Sequence, residues 1–161
     1  MPLPLESLTS QILEAAFEVS NELGTGFLES VYEQSLFIAL QDKGIQAERQ
    51  VPIKVLFRGR LAGIFQADLL VEEDVLLELK AVRTLLPEHA AQTLNYLKAT
   101  GKPIAMLLNF GTAKVEWRRF DHGFKEEMNR DKGDEGDKSR SDEVSHSIEG
   151  LVNSNRESLE K

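Results

Sequence analysis

Phe65–Lys80 reads FQADLLVEEDVLLELK, and the fold turns on how this stretch pairs with itself. Two runs of branched and aliphatic residues, FQADLLV and VLLELK, flank a short acidic break, which predicts an antiparallel hairpin. Asp68, Glu78 and Lys80 nevertheless stand among the leucines and valines. Charged side chains are almost never fully buried unless they are paired or hold a metal. If Glu72, Glu73 and Asp74 form the turn, Val71 faces Val75 and, counting outward, Asp68 lies directly opposite Glu78. Lys80 then shares their face, two residues along.

Like charges directly opposed across a strand pair are destabilising, so this register asks for a cation between them. A hard divalent ion, Mg²⁺ with Mn²⁺ as the alternative, answers that need. It takes one or two carboxylates and keeps waters for a substrate phosphate to replace. Lys80 could orient or deprotonate the attacking water, or stabilise negative charge in the transition state. The competing reading is a salt-bridged strand pair on a solvated sheet face. The apolar Leu76, Leu77, Leu79 and Ala81 favour a central strand instead. The turn contains no glycine, and a slip of one residue would send the two carboxylates to opposite faces, so the pairing is a direct structural test.

Upstream, Leu8, Ile12, Ala15, Ala16, Val19 and Leu23 recur at three- and four-residue intervals and predict an amphipathic helix ended by Gly24 and Gly26. A second helix is expected from Val31, Tyr32, Ser35, Leu36, Ala39 and Leu40, with Gly44 as a left-handed stop. VPIKVLF precedes the hairpin as a further strand. Downstream, Pro87 opens a helix that Gly101 ends, and IAMLLNF and VEWRRF read as strands. This order predicts an α+β protein, an α/β sandwich around one mixed sheet. The charged, Gly- and Ser-rich residues 125–161 are expected to be a disordered tail following a domain at 1–124.

The chain has 161 residues, 41% of them hydrophobic, enough for one globular domain with a real core. Its 19 Lys+Arg against 27 Asp+Glu give a net charge of -8, which argues against an unspecific polyanion binder, although a local basic patch can sit within an acidic whole. Without cysteine there are no disulfides or thiolate metal sites, and a reducing cytoplasm is the expected compartment. The N-terminal MPLPLESLTSQ lacks the features of a signal peptide, and no apolar run suggests a membrane span.

The ordered motifs resemble a known family. Asp68 followed by Glu78-Leu79-Lys80 is similar to the signature of the PD-(D/E)xK nuclease superfamily, with Ala67 in place of the usual proline. Gly26-Phe27-Leu28-Glu29-Ser30-Val31-Tyr32 resembles the motif that names the GxxExxY family, as do Ala91-Gln92 with Tyr96-Leu97, and Asn109-Phe110-Gly111. The resemblance implies a restriction-endonuclease-like αβββαβ core, with helix Glu29–Lys43, the meander, helix Pro87–Lys98 and strand Ile104–Asn109. It also implies metal ligation by Asp68, Glu78, the Leu79 carbonyl and Glu29, a catalytic Lys80, and Gln92 orienting water or substrate.

The function expected is Mg²⁺-dependent hydrolysis of DNA or RNA phosphodiesters. The alternative is a nuclease-fold module of weak or no activity that binds nucleic acid or a protein partner. Oligomeric state stays open, a homodimer included. Each accessory residue has a plainer reading. Glu29 suits the first turn of a helix by its charge alone, Tyr32 reads as core, and Gln92 could line a half-exposed helix with His89 and Tyr96. His89 is a general base by type, but nothing in the sequence brings it to the carboxylates. The arginines of RGR and Arg118-Arg119 are candidate phosphate contacts.

Overall fold

In the computed structural model the described residues are 5–123 and 126–129. Helices α1 (Leu5–Leu23) and α2 (Glu29–Asp42) precede strands β1 (Ala47–Phe57), β2 (Arg60–Val71) and β3 (Val75–Lys80). Helix α3 (Pro87–Thr100) and strands β4 (Ile104–Asn109), β5 (Glu116–Asp121) and β6 (Glu126–Met128) follow. The strands form one sheet in chain order, with every neighbouring pair antiparallel except β3 and β4. That parallel pair requires a crossover, and α3 supplies it. The run α2-β1-β2-β3-α3-β4 reproduces the expected αβββαβ order, and the architecture is α+β as the sequence indicated.

Helices α1 and α2 cover one face of the sheet. Leu8, Ile12, Ala15, Ala16, Val19, Tyr32, Leu36 and Leu40 bury against Leu69, Leu77, Leu79, Met106 and Leu108. Helix α3 covers the other, with Ala90, Leu94 and Leu97 on Leu70, Leu76, Ala105, Leu107 and Phe120. Strands covered on both faces read as continuous apolar runs rather than alternating ones, which is why VLLELK and IAMLLN look as they do.

Two expectations shift. The stripe of α2 keeps Tyr32, Leu36 and Leu40, but Val31 is exposed and the carboxylate residue Glu33 is buried. The sheet also runs past residue 124, because Glu126–Met128 pairs with β5. Residues 130–161 of the expected tail lie outside the described residues.

Tyr32 is fully buried, as the plainer reading expected. Its hydroxyl donates to the Gly24 carbonyl at 2.6 Å, and the Phe27 N–H lies 3.3 Å from the same oxygen. The ring stacks on Phe110 with centroids 4.9 Å apart. Tyr32 thus ties the α1–α2 connection to the end of β4. Tyr32→Phe keeps the stack and strands the Gly24 carbonyl, so it should lower stability by about 1–2 kcal/mol, measured by thermal unfolding; an unchanged midpoint would refute this role.

Candidate active site

The hairpin register is the one that a three-residue turn demands. Val71 pairs with Val75, Leu70 with Leu76 and Leu69 with Leu77. In place of glycine, Glu72 and Glu73 take positive φ values of 49° and 63° to make the turn. Continuing outward sets Asp68 opposite Glu78, but there the backbone ladder stops and side chains replace it. The Leu79 N–H donates to Asp68 Oδ2 at 2.7 Å, and the Asp68 N–H lies 3.4 Å from Glu78 Oε1.

On its other side Asp68 also lacks a ladder partner. The β1–β2 ladder passes from Arg49–Leu69 to Val51–Ala67 and omits Gln50, whose φ is +53°. The Gln50 amide donates to Glu33 Oε2 at 2.8 Å and also bonds the Asp68 carboxylate. Glu33 further accepts from Arg49 Nε at 3.0 Å. The strands therefore part around Asp68, and polar side chains fill the opening.

Burial dominates the electrostatics. It pushes the Glu78 carboxyl up to about 8, with repulsion from Asp68 adding and Lys80 opposing. Asp68 is raised by burial against the Leu79 N–H that stabilises its charge, with Glu33 adding to the rise. Glu29 is raised by burial too, with Lys80 opposing and Asp68 and Glu33 adding. Three carboxyl groups that resist ionisation thus sit in the field of one ammonium.

This donor set fits a hard divalent ion. Asp68 and Glu78 offer oxygens from adjacent strands, and N–H and C=O of one strand residue lie along the same edge. Since the Leu79 N–H points toward Asp68, its carbonyl faces the same opening. Among the described residues, no three His, Asp or Glu side chains gather into a metal cage. Glu29 is therefore coupled to the pair through space without joining such a cluster. Two carboxylates suffice for an ion that keeps most of its waters.

The sequence matches the family model of the PD-(D/E)XK nuclease superfamily over residues 6–120. The chain belongs to that superfamily. No curated protein matches it. Among solved structures it is similar to SSO0001, at 12% identity and a TM-score of 0.42 over 89% of this chain and 86% of that one. It is also similar to the alkaline exonuclease LHK-Exo of Laribacter hongkongensis, at 13% identity and a TM-score of 0.34 over 98% and 95% of the two chains. The complex of LHK-Exo with dAMP matches at 12% identity and a TM-score of 0.34, over 94% of each chain.

In this PD-(D/E)XK protein the remaining motif residues brace the opening. Asn109 is fully buried, accepts from the N–H groups of Val82 and Gly111 at 3.0 Å each, and donates to the Val82 carbonyl at 2.9 Å. The Phe110 N–H donates to the Lys80 carbonyl at 2.8 Å. Asn109-Phe110-Gly111 thus fixes the backbone from which Lys80 projects. Gln92 donates to the Tyr96 hydroxyl at 2.9 Å. Tyr96 is raised by burial, with Glu78 and Asp68 adding, so this pair borders the carboxylates.

His89 caps α3: its Nδ1 accepts from the Leu86 N–H at 3.0 Å. It is lowered chiefly by burial and then by Lys80, a proximity that no sequence pattern indicated. Arg118 and Arg119 are paired with β6, at 3.6 Å from Glu126 and 3.2 Å from Glu127, so a phosphate would have to compete with these carboxylates for them. The sequence indicated Tyr96 as a neighbour of Gln92 but not Glu33 or Gln50. Glu33 was within reach, one helical turn after Glu29. Gln50 carried no signal, since its place depends on a local break in the strand.

Among the described residues no helix is long and apolar enough to cross a membrane.

Proposed function

We propose that this PD-(D/E)XK protein, of the GxxExxY branch, is a cytoplasmic, Mg²⁺-dependent nuclease that hydrolyses phosphodiesters. The observation carrying this reading is the pairing of Asp68 with Glu78 where the β2–β3 ladder ends, with Lys80 in their field. A divalent ion bound by Asp68, Glu78 and the Leu79 carbonyl would neutralise the carboxylates, draw in a phosphate and activate water for attack.

The chain's own groups do the rest. Lys80, braced through Phe110 and Asn109, holds its ammonium where negative charge builds on the phosphoryl oxygens. Gln92, steadied by Tyr96, orients water or substrate at the rim. Glu29 contributes a further carboxylate that faces Lys80 electrostatically. The Leu79 N–H fixes the rotamer of Asp68, leaving its other oxygen for the ion.

The test incubates purified protein with single- and double-stranded DNA and RNA in Mg²⁺ or Mn²⁺, beside Lys80→Ala. Cleavage should need the ion and should fall at least about 100-fold in the variant. Calorimetry should show divalent-ion binding that Asp68→Asn removes. If Asp68→Asn and the parent bind the ion equally, the metal assignment fails.

A further inference from the structure

The first hairpin extends well beyond the body of the sheet. β3 pairs with β2 only from Leu69 to Val71, so from Arg60 to Ala67 β2 has β1 on one side and, among the described residues, no strand on the other. The result is a two-stranded arm whose base rests on α3, where Phe65 meets Tyr96 at a centroid distance of 5.9 Å. Its second strand, β2, leads directly into Asp68.

The arm's composition departs from that of the chain. Between Val51 and Ala67 there is no Asp or Glu, whereas Lys54, Arg58 and Arg60 all lie there, in a protein of net charge -8. All three are exposed, and none has an ion-pair partner among the described residues. Leu56, Leu61 and Ile64 are exposed beside them at 61%, 56% and 56%.

The tip carries a local backbone cost. Arg58 and Gly59 have φ values of 50° and 73°, the double left-handed geometry of a two-residue hairpin turn that favours Asn-Gly. An arginine there is disfavoured by the backbone. Its guanidinium lies 5.0 Å over the Phe57 ring, held at the end of the arm.

The geometry points to this arm as a sequence-independent binding element for duplex DNA, with Lys54, Arg58 and Arg60 on phosphates upstream of the cleavage site. Three unpaired cations on an acid-free ribbon complement a polyanion. The major groove of B-form DNA admits a two-stranded ribbon, whereas that of A-form RNA is too deep and narrow to be read. At about 3.3 Å per residue, Arg60 lies up to about 26 Å along β2 from Asp68. That distance corresponds to about 8 base pairs, so the arm would grip the duplex most of a helical turn from the scissile bond. This assignment rests on the nuclease reading for its substrate, but not for its geometry.

The experiment measures binding of the full chain to a 30-base-pair DNA duplex by fluorescence anisotropy without divalent ions, across a salt series. In the triple variant K54Q/R58Q/R60Q the slope of log K against log salt should be shallower by about 2.7, or about 0.9 per phosphate contact. Between 50 and 200 mM salt the parent should then lose about 40-fold more affinity than the variant. Arg58→Asn adds a control, since it suits the turn better. It should hold or raise the unfolding midpoint while making the slope shallower by about 0.9.

An unchanged slope in the triple variant overturns the proposal, as does an equal loss on an RNA duplex or on single strands. A slope that does not change while the variant loses self-association in sedimentation overturns it in favour of a contact between copies of the chain. The cleavage assay stands apart from this one. Cleavage with an unchanged slope refutes the arm alone, and a changed slope without cleavage refutes the hydrolase alone.

Discussion

A single added methyl group at position 111 should unfold the end of the sheet that carries Lys80. A Cβ on Gly111 would lie 2.1 Å from the Val82 carbonyl oxygen, 2.4 Å from its nitrogen and 2.5 Å from its carbonyl carbon. These are backbone atoms, which cannot rotate away as a side chain does. The Val82 N–H and C=O are also held elsewhere: Asn109 bonds both, together with the Gly111 N–H. Relief must therefore come from pulling the β3 exit away from the end of β4, which breaks those bonds in a buried site. Overpacking combined with unsatisfied buried polar groups costs about 3 kcal/mol or more. In a domain of this size the unfolding midpoint should fall by about 10 °C or more. Any variant that still folds should lose cleavage through displacement of Lys80. A Gly111→Ala protein melting within a few degrees of the parent would show that the Val82 contact is not tight in solution.

The second large effect concerns Glu78 and pH. Its ordinary value is 4.5, and in the folded protein burial and Asp68 push it up to about 8. Between these values the folded state binds more protons than the unfolded one, so stability falls as pH rises. The contribution is complete below about 4.5 and is lost as pH passes through about 8. In chelator, the unfolding midpoint should therefore decline from pH 6 to pH 9. Glu78→Gln resembles the protonated acid and should be more stable than the parent at pH 9, by a few kcal/mol. Its residual slope should be smaller, and Asp68 and Glu29, both raised, contribute to it with the same sign. Divalent ions should restore the parent's stability at high pH and release protons on binding near pH 7. A midpoint that climbs with pH, or a glutamine variant as pH-sensitive as the parent, would sink this account.

The hairpin shows how much of the fold was legible. The strand-forming runs FQADLLV and VLLELK indicated the hairpin, and the pairing of Val71 with Val75 followed only if Glu72–Asp74 formed a three-residue turn, as they do. Helical periodicity likewise located α1, because its apolar stripe follows from the helix repeat itself, whereas α3 was bounded by Pro87 at its start and Gly101 at its end. The stripe of α2 held at Tyr32, Leu36 and Leu40, and departed from expectation at Val31, which is exposed, and Glu33, which is buried. Glu33 is buried there only because Arg49 and Gln50, distant in sequence, meet its carboxylate. Strand β6 was hidden since three residues, EEM, carry no strand pattern; its ion pairs with Arg118 and Arg119 hold it on β5. Site residues named by motif were thus within reach, whereas those recruited by a kink in a strand were not.

The left-handed Gln50 has a consequence of its own. One residue's backbone frees the β1 flank of Asp68, so the opening on that side is a property of strand curvature rather than of the acids that line it. A glycine at position 50 would keep the bend at lower native strain. A β-branched residue would resist it, flatten β1 and tend to zip that side shut. Homologous chains could then exchange the chemistry of the lining freely, provided that the bend survives.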